Sequence, residues 1–321
     1  ARDGRAGTTT AKLRGAYYTP PAIADFLAAW AIRSPDAEVL EPSAGDGEFV
    51  EAATRHVGAA GRITAVEYDA TEARKIVARV GQRASVVCGD FFGWYRREAP
   101  DQAFDAVVGN PPFIRYQDFA EDHRLHAFEV MRAEGLHPSR LTNAWVPFVV
   151  AATRALRRGG RLARVVPAEL MQVSYAAELR EYLVRSYERL TVVTFRKLIF
   201  EGIQQETVLL LGERGASRGA KIGFVEADGA DDLAALRVDA SKHAAVELDH
   251  AREKWTQYYL SSRELDLIRE VERSGAFRCL RDYAEVDVGV VTGRNEFFVL
   301  SSSEARERGL LVRDQHVGGS A

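Results

Sequence analysis

The sequence predicts an α/β fold, a doubly wound and mostly parallel sheet covered by helices on both faces. Three observations carry this reading. Short apolar runs of strand length alternate with longer runs of helical spacing, the pattern of strands joined by crossover helices. A Gly-rich turn follows the first apolar run, at the carboxyl end of a strand, where open α/β sheets bind ligands. Three later runs each end at or just before a polar residue, Glu67, Asp90 and Asn110, which places those side chains along one edge of the sheet.

The elements follow in order. Residues 21–32 read as a helix, because Ile23, Phe26, Leu27 and Trp30 recur at helical spacing. Strands are expected near 38–41, 63–67, 84–88 and 104–109, with helices near 48–57 and 70–80 between the first three. Residues 144–157 read as an amphipathic helix stopped by Gly159-Gly160. A strand over 161–166, a helix over 176–186 and two final strands, 190–195 and 208–211, complete the sheet. Residues 213–250 are polar and weakly periodic, a connecting region with one strand, Ile222–Val225.

Composition narrows the function. A chain of 321 residues holds one large or two medium domains. No apolar stretch approaches the ~20 residues that span a bilayer, and the first residues lack the apolar core of a signal peptide. Cys88 and Cys279 form neither a zinc spacing nor a disulfide framework, so no metal and a reducing, cytoplasmic setting are expected. The net charge of −3 is unusual for a nucleic-acid-binding domain unless the charge is segregated. Arg154, Arg157, Arg158, Arg161 and Arg164 cluster around one helix end, either as a basic face or as an ordinary solvated one.

Two motifs carry chemistry. In Val39-Leu-Glu-Pro-Ser-Ala-Gly-Asp-Gly-Glu-Phe49, Gly45 and Gly47 permit close backbone approach or φ > 0, so a ligand can lie against the turn. Glu67, twenty residues past Gly47, is placed to accept ribose hydroxyls. The turn is not Gly-x-Gly-x-x-Gly, and it carries acids where a pyrophosphate would sit. It suits a nucleoside cofactor with a cationic amino-acid end better than NAD. The second motif is Asn110-Pro111-Pro112-Phe113, just past an apolar strand. Two prolines fix an exposed backbone there. An amide, a carbonyl without a ladder partner and an aromatic ring then form a holder for a planar base bearing an NH₂ group.

Taken together, these stretches resemble the gamma group of adenine-specific, S-adenosylmethionine-dependent DNA methyltransferases of restriction-modification type. The matching segments are Gly15-Ala-Tyr-Tyr-Thr-Pro-Pro21, Glu41-Pro-Ser-Ala-Gly-Asp-Gly47, Glu67-Tyr-Asp69, Gly89-Asp-Phe91 and Gly109-Asn-Pro-Pro-Phe-Ile-Arg115. Leu198-Ile-Phe-Glu-Gly-Ile-Gln204 is similar to a later motif whose aromatic residue lines the base pocket, and Asp287–Asn295 resembles the opening of a target-recognition domain. The turn of this chain is more acidic than in some members, and Phe113 stands where Tyr is commoner.

The resemblance implies a Rossmann-like class I methyltransferase fold with a seven-stranded sheet whose final strand is antiparallel. It implies a catalytic domain over 1–250 and, over 251–321, a linker and the start of a recognition domain. The tail from 255 holds nine Arg, no Lys and eleven acidic residues, which is acidic for a complete DNA-reading domain. The chain also stops at Gly318-Gly-Ser-Ala without closing a visible element.

By the same resemblance, Asn110 and Pro111 would accept the two N–H groups of a flipped adenine, with Pro112 in the rigid turn. Phe113 would stack on the base and Phe200 would meet it from another side. Glu67 would hold the cofactor ribose and Asp90 its adenine amino group, and Phe91 would either pack on the adenine or be a buried core residue. Backbone groups of Glu41, Ser43, Ala44 and Gly45 would line the methionine end, under Tyr18 and Thr19. Double-stranded DNA is the implied partner, with a cognate restriction nuclease as a fused domain or separate subunit. Rival readings are a protein glutamine methyltransferase, an RNA base methyltransferase and a non-catalytic cofactor-binding DNA-recognition subunit. A helical domain usually precedes the cofactor motifs in the first of these, and this chain has the opposite layout. The intact Asn110 motif weighs against the last.

Overall fold

The computed structural model describes residues 19–98, 101–114, 121–197, 206–215, 220–236, 238, 253–278, 280–285 and 302–309. By contact, the chain divides into two units, Ala1–Leu265 and Asp266–Ala321.

The first unit is built on strands that are apolar because both faces of the sheet are covered. Helix α1 (Pro21–Ala31) starts with Pro at its first position, where no N–H is needed, and buries Ile23, Ala24, Leu27 and Ala28. Then come β1 (Glu38–Glu41), α2 (Glu48–Thr54), β2 (Arg62–Glu67), α3 (Ala70–Val80) and β3 (Ser85–Cys88). Asp69 caps α3, accepting from the N–H groups of Thr71 at 2.7 Å and Glu72 at 3.3 Å. Next are α4 (Phe91–Glu98), β4 (Phe104–Gly109), α5 (Glu121–Ala133), α6 (Trp145–Ala155), β5 (Leu156–Pro167) and α7 (Ala177–Ser186). Strands β6 (Arg189–Phe195), β7 (Thr207–Glu213) and β8 (Lys221–Ala227) close the set.

The sheet has eight strands in the order β3-β2-β1-β4-β5-β7-β6-β8. The strands from β3 to β5 are parallel, β7 is antiparallel to both β5 and β6, and β8 runs parallel to β6. The implied antiparallel strand is β7. The expected seven strands are eight, because the run read as a lone strand of the connecting region pairs with the free edge of β6 from Arg189↔Lys221 to Phe195↔Ala227.

Two further expectations are corrected. Helix α6 is buried at ten of its eleven positions rather than amphipathic. It lies against the sheet, and its Phe148 stacks on Phe91 at 5.2 Å. Gly159-Gly160 does not stop it; the helix ends at Ala155 and both glycines lie inside β5, which pairs irregularly with β4 there. The arginine cluster does not form one basic face, since four of its members are held by acids or buried. Arg154 bonds Asp101 at 2.6 Å, Arg157 lies 3.2 Å from Asp105, and Arg161 bonds Glu213 at 3.0 Å while covering the Trp30 ring. Arg164 is fully buried.

Beyond β8, Trp255 is buried and meets Phe224 edge-on. Helix α8 (Ser262–Ser274) buries only Leu265. The second unit contains a helical turn at Leu280–Asp282 and the short α9 (Ser302–Glu307). No described helix is long and apolar enough to cross a membrane.

Candidate active site

The carboxyl ends of β1, β2, β3 and β4 are neighbours in the sheet, so the turns after them converge on one edge. Glu41 closes β1 and is buried. Its Oε1 accepts from the Ser43 N–H at 3.0 Å and lies 3.9 Å from Nη1 of Arg164, while Oε2 is buried with no hydrogen-bond partner among the described residues. Burial pushes the Glu41 carboxyl up to about 7, against the pull of the Arg164 guanidinium. A buried acceptor that lacks a donor is costly unless a ligand supplies one.

The Gly-rich turn is tied down by its own backbone. Ala44 N–H donates to the Val66 carbonyl at 2.9 Å, and Gly45 N–H to Oε2 of Glu67 at 2.6 Å. The N–H groups of Ser43, Ala44 and Gly45 are thus already engaged within the turn. It is the Glu41 side chain that presents an unused acceptor. Gly47 has φ +88°, the positive value expected of a glycine in this turn; it is buried, and a Cβ there would meet Cγ1 of Ile76 at 2.9 Å, so it also lets α2 pack on α3. Gly45 and Gly89 do border open space.

Glu67 is half-buried at the end of β2. Its Oε1 accepts from the Asp69 N–H at 2.7 Å, and burial raises its pKa against the pull of its two backbone donors. Asp90 follows β3 and accepts from the Gly93 N–H at 2.6 Å, while Oδ1 lies 3.7 Å from Nδ1 of His123. The His123 ring meets the exposed Tyr68 edge-on at 5.1 Å. Sequence reading missed this pair, because α5 carries few buried positions and was not recognised as a helix. Phe91 is 3 % exposed, packed among Phe92, Trp94, Tyr95 and Phe148, the buried-core alternative. A ring so enclosed belongs to the core, and it offers little face to a ligand.

Asn110 follows β4. Its Nδ2 donates to Oγ1 of the buried Thr19 at 3.3 Å, and its carbonyl accepts from Oγ of Ser43 at 3.2 Å. The structure therefore brings together Thr19, Glu41, Ser43 and Asn110, from the segment before α1 and the ends of β1 and β4. Pro111 and Phe113 are buried and Pro112 is half-buried. Tyr18, Phe200, Arg115 and the segments 198–204 and 287–295 lie outside the described residues. On the same edge of the sheet, a cleft of about 270 Å³ lies between the end of β6 and the start of β7, lined by Met171, Phe195, Lys197, Glu206 and Tyr259 among others.

These residues fit the cofactor that the sequence implies. S-adenosylmethionine has a cationic amino group to meet Glu41 Oε2, ribose hydroxyls to meet Glu67, and an adenine to reach Asp90. A Cβ at Gly45 or Gly89 would meet nothing within 4 Å.

Comparison with known proteins agrees with the geometry. Residues 5–270 match the N-6 DNA Methylase family. Residues 252–320 match the C-terminal domain of Type II methyltransferase M.Eco57I. The chain is 28% identical to Type II methyltransferase M.TthHB8I of Thermus thermophilus over 228 residues, 69% of this chain and 50% of the relative. It is 23% identical to Type II methyltransferase M.AccI of Acinetobacter calcoaceticus over 308 residues, 91% of this chain and 54% of the relative. The chain thus spans about half the length of these relatives. Among solved structures, the fold resembles the DrdV–DNA complex with a TM-score of 0.58 and 14% identity, over 77% of this chain and 32% of that one. It also resembles a type I restriction-modification methyltransferase subunit from Streptococcus thermophilus, with a TM-score of 0.55 and 14% identity, over 81% and 59% of the two chains. At such identities the likeness speaks for the fold alone. The family match, however, takes in the whole sheet together with the Asn110–Phe113 motif, and this chain belongs to the N-6 DNA methylase family.

Proposed function

We propose that this chain transfers a methyl group from S-adenosylmethionine to the exocyclic N6 amino group of an adenine flipped out of double-stranded DNA. The observation that carries the reading is Asn110, held just past β4 by Thr19 and Ser43, one residue after the Gly109 backbone that the Glu41 carboxylate lies against. When bound, the cofactor supplies an electrophilic methyl group on a sulfonium sulfur.

The adenine amine is a poor nucleophile, because its lone pair is delocalised into the ring. Oδ1 of Asn110 and the Pro111 carbonyl accept one N–H each and draw the nitrogen toward tetrahedral geometry. A neutral amide does this with less charge to desolvate than a carboxylate. Positioning supplies most of the acceleration. The methylated ammonium is strongly acidic, so its proton leaves to water without a dedicated base. Glu41 takes the amino group of the methionine end, Glu67 the ribose and Asp90 the adenine. Phe113 stacks on the extruded base, where stacking is worth about 1–3 kcal/mol.

On the DNA side, the cleft at β6 and β7 offers Lys197 for a phosphate and the exposed Tyr259 for stacking. Residues 251–321 begin the target-recognition part, and a cognate restriction nuclease, fused or separate, is the functional partner. Incubation with labelled cofactor and duplex DNA lacking adenine methylation, followed by nucleoside analysis, tests the reading. N6-methyladenine in duplex DNA is expected. Label found only in RNA or in protein glutamine would overturn it.

A further inference from the structure

Arg164 is a charged side chain with no exposure at all, beneath the site yet outside the ligand contacts assigned above. Its Nη1 donates to the carbonyl of Val108 at 2.8 Å, two residues before Asn110, and lies 3.9 Å from Glu41 Oε1. Its Nε and Nη2 are buried without hydrogen-bond partners among the described residues. Such a pair is a poor source of stability, because desolvating both ions offsets their attraction. Its placement says more. The Glu41 carboxylate lies directly against the backbone of Gly109, so close that a Cβ there would fall 2.0 Å from Oε2. One guanidinium therefore holds the catalytic strand β4 through Val108 and faces the last side chain of β1.

We propose that Arg164 is a positioning residue that holds the Glu41 carboxylate as an anion beneath Gly109, ready for the amino group of the cofactor's methionine end. The inference rests on the cofactor reading given above. Burial and the nearby Glu67 push the Glu41 carboxyl up, and it reaches only about 7 because Arg164, the principal opposing charge, pulls it down. Tyr187, packed beside Arg164 and bonded to Thr153, is held in its neutral form by burial and leaves the guanidinium as the cation facing Glu41. Loss of Arg164 protonates Glu41 at neutral pH, and a carboxylic acid holds an ammonium poorly. The adenosine half of the cofactor is read by Glu67 and Asp90, on turns that Arg164 does not touch. The effect of Arg164 is therefore specific to one end of the ligand.

Two ligands separate the ends. S-adenosylhomocysteine carries the amino-acid group, and 5′-methylthioadenosine lacks it. Calorimetry on the wild-type protein, Arg164→Met, Arg164→Lys and Glu41→Gln across pH 6–9 tests the proposal. Arg164→Met should weaken S-adenosylhomocysteine about tenfold or more at pH 7.5, at roughly tenfold per unit by which the Glu41 pKa exceeds the pH. The loss should recover toward pH 9, and 5′-methylthioadenosine should bind as before. Arg164→Lys, which keeps the cation, should recover much of the affinity, and Glu41→Gln should show the same ligand-selective loss with no pH recovery. If Arg164→Met does not fold, these two variants decide. An equal loss for both ligands, a loss indifferent to pH in Arg164→Met, or no loss overturns the role of Arg164 while leaving the cofactor reading standing. Failure of the wild-type protein to bind either ligand overturns both.

Discussion

Replacing Gly109 with alanine puts a methyl group where the Glu41 carboxylate already lies. A Cβ at this position falls 2.0 Å from Oε2, 2.1 Å from Oε1 and 2.4 Å from Cδ, and the residue has φ +131°. Ordinary contact begins near 3.4 Å, so the carboxylate would have to retreat by more than an ångström. It is held on the far side by the Ser43 N–H and by Arg164, so the retreat disturbs both. The backbone strain costs about 1–3 kcal/mol, and overpacking a rigid core costs about 1–3 kcal/mol more. A total of ~4 kcal/mol is a large share of the ~5–15 kcal/mol that usually holds a domain together. Urea denaturation of Gly109→Ala should show that loss, with weakened cofactor binding by calorimetry. Gly45→Ala is the control: φ is +55° but the space is open, so the cost should stay near 1 kcal/mol. A Gly109→Ala protein within 1 kcal/mol of wild type, with cofactor affinity intact, would refute this packing.

Other outcomes follow from the same geometry. Glu67→Ala should weaken the cofactor by about tenfold or more, as expected for loss of hydrogen bonds to a charged acceptor, and unchanged affinity in a folded variant would remove the ribose assignment. The folded-state pKa of Glu41 lies above its ordinary value of 4.5, so its contribution to stability is fully present below 4.5 and is lost as pH rises through about 7. Ligand-free Glu41→Gln should therefore gain on wild type across that window, measured as the difference in denaturation midpoints; a widening advantage for wild type would contradict the sign. Lys197→Ala should weaken DNA binding similarly on all sequences and lower the salt slope by about one, measured by fluorescence anisotropy at several salt concentrations. A change confined to one sequence would point to base reading instead.

The strands were legible because a sheet covered on both faces must be apolar along its whole length, and those runs stand out from polar turns. Helices α4 and α5 were not. The first is an aromatic cluster interrupted by Gly93, and the second buries only Ala127, Phe128 and Met131, so neither shows a helical stripe. The residues at the ends of the strands were also readable, because topology brings them together whatever the side chains do. Their partners were not readable. Thr19 and Asn110 are 91 positions apart, and Asp101, Asp105 and Glu213, which pair with Arg154, Arg157 and Arg161, are each more than fifty positions away. Sequence spacing likewise treated Gly45 and Gly47 alike, although one faces open space and the other Ile76.

The most direct test of the central claim is methyl transfer by Asn110→Ala. Tritiated S-adenosylmethionine and duplex DNA lacking adenine methylation give the turnover, and calorimetry with S-adenosylhomocysteine gives the binding. Loss of one preorganised hydrogen-bonding group at the reacting atom typically costs about 10²–10³ in rate. The expected result is turnover down by at least that factor with cofactor affinity near wild type, since the amide acts on the target amine in the transition state. Near-normal turnover in a folded Asn110→Ala protein would contradict the account.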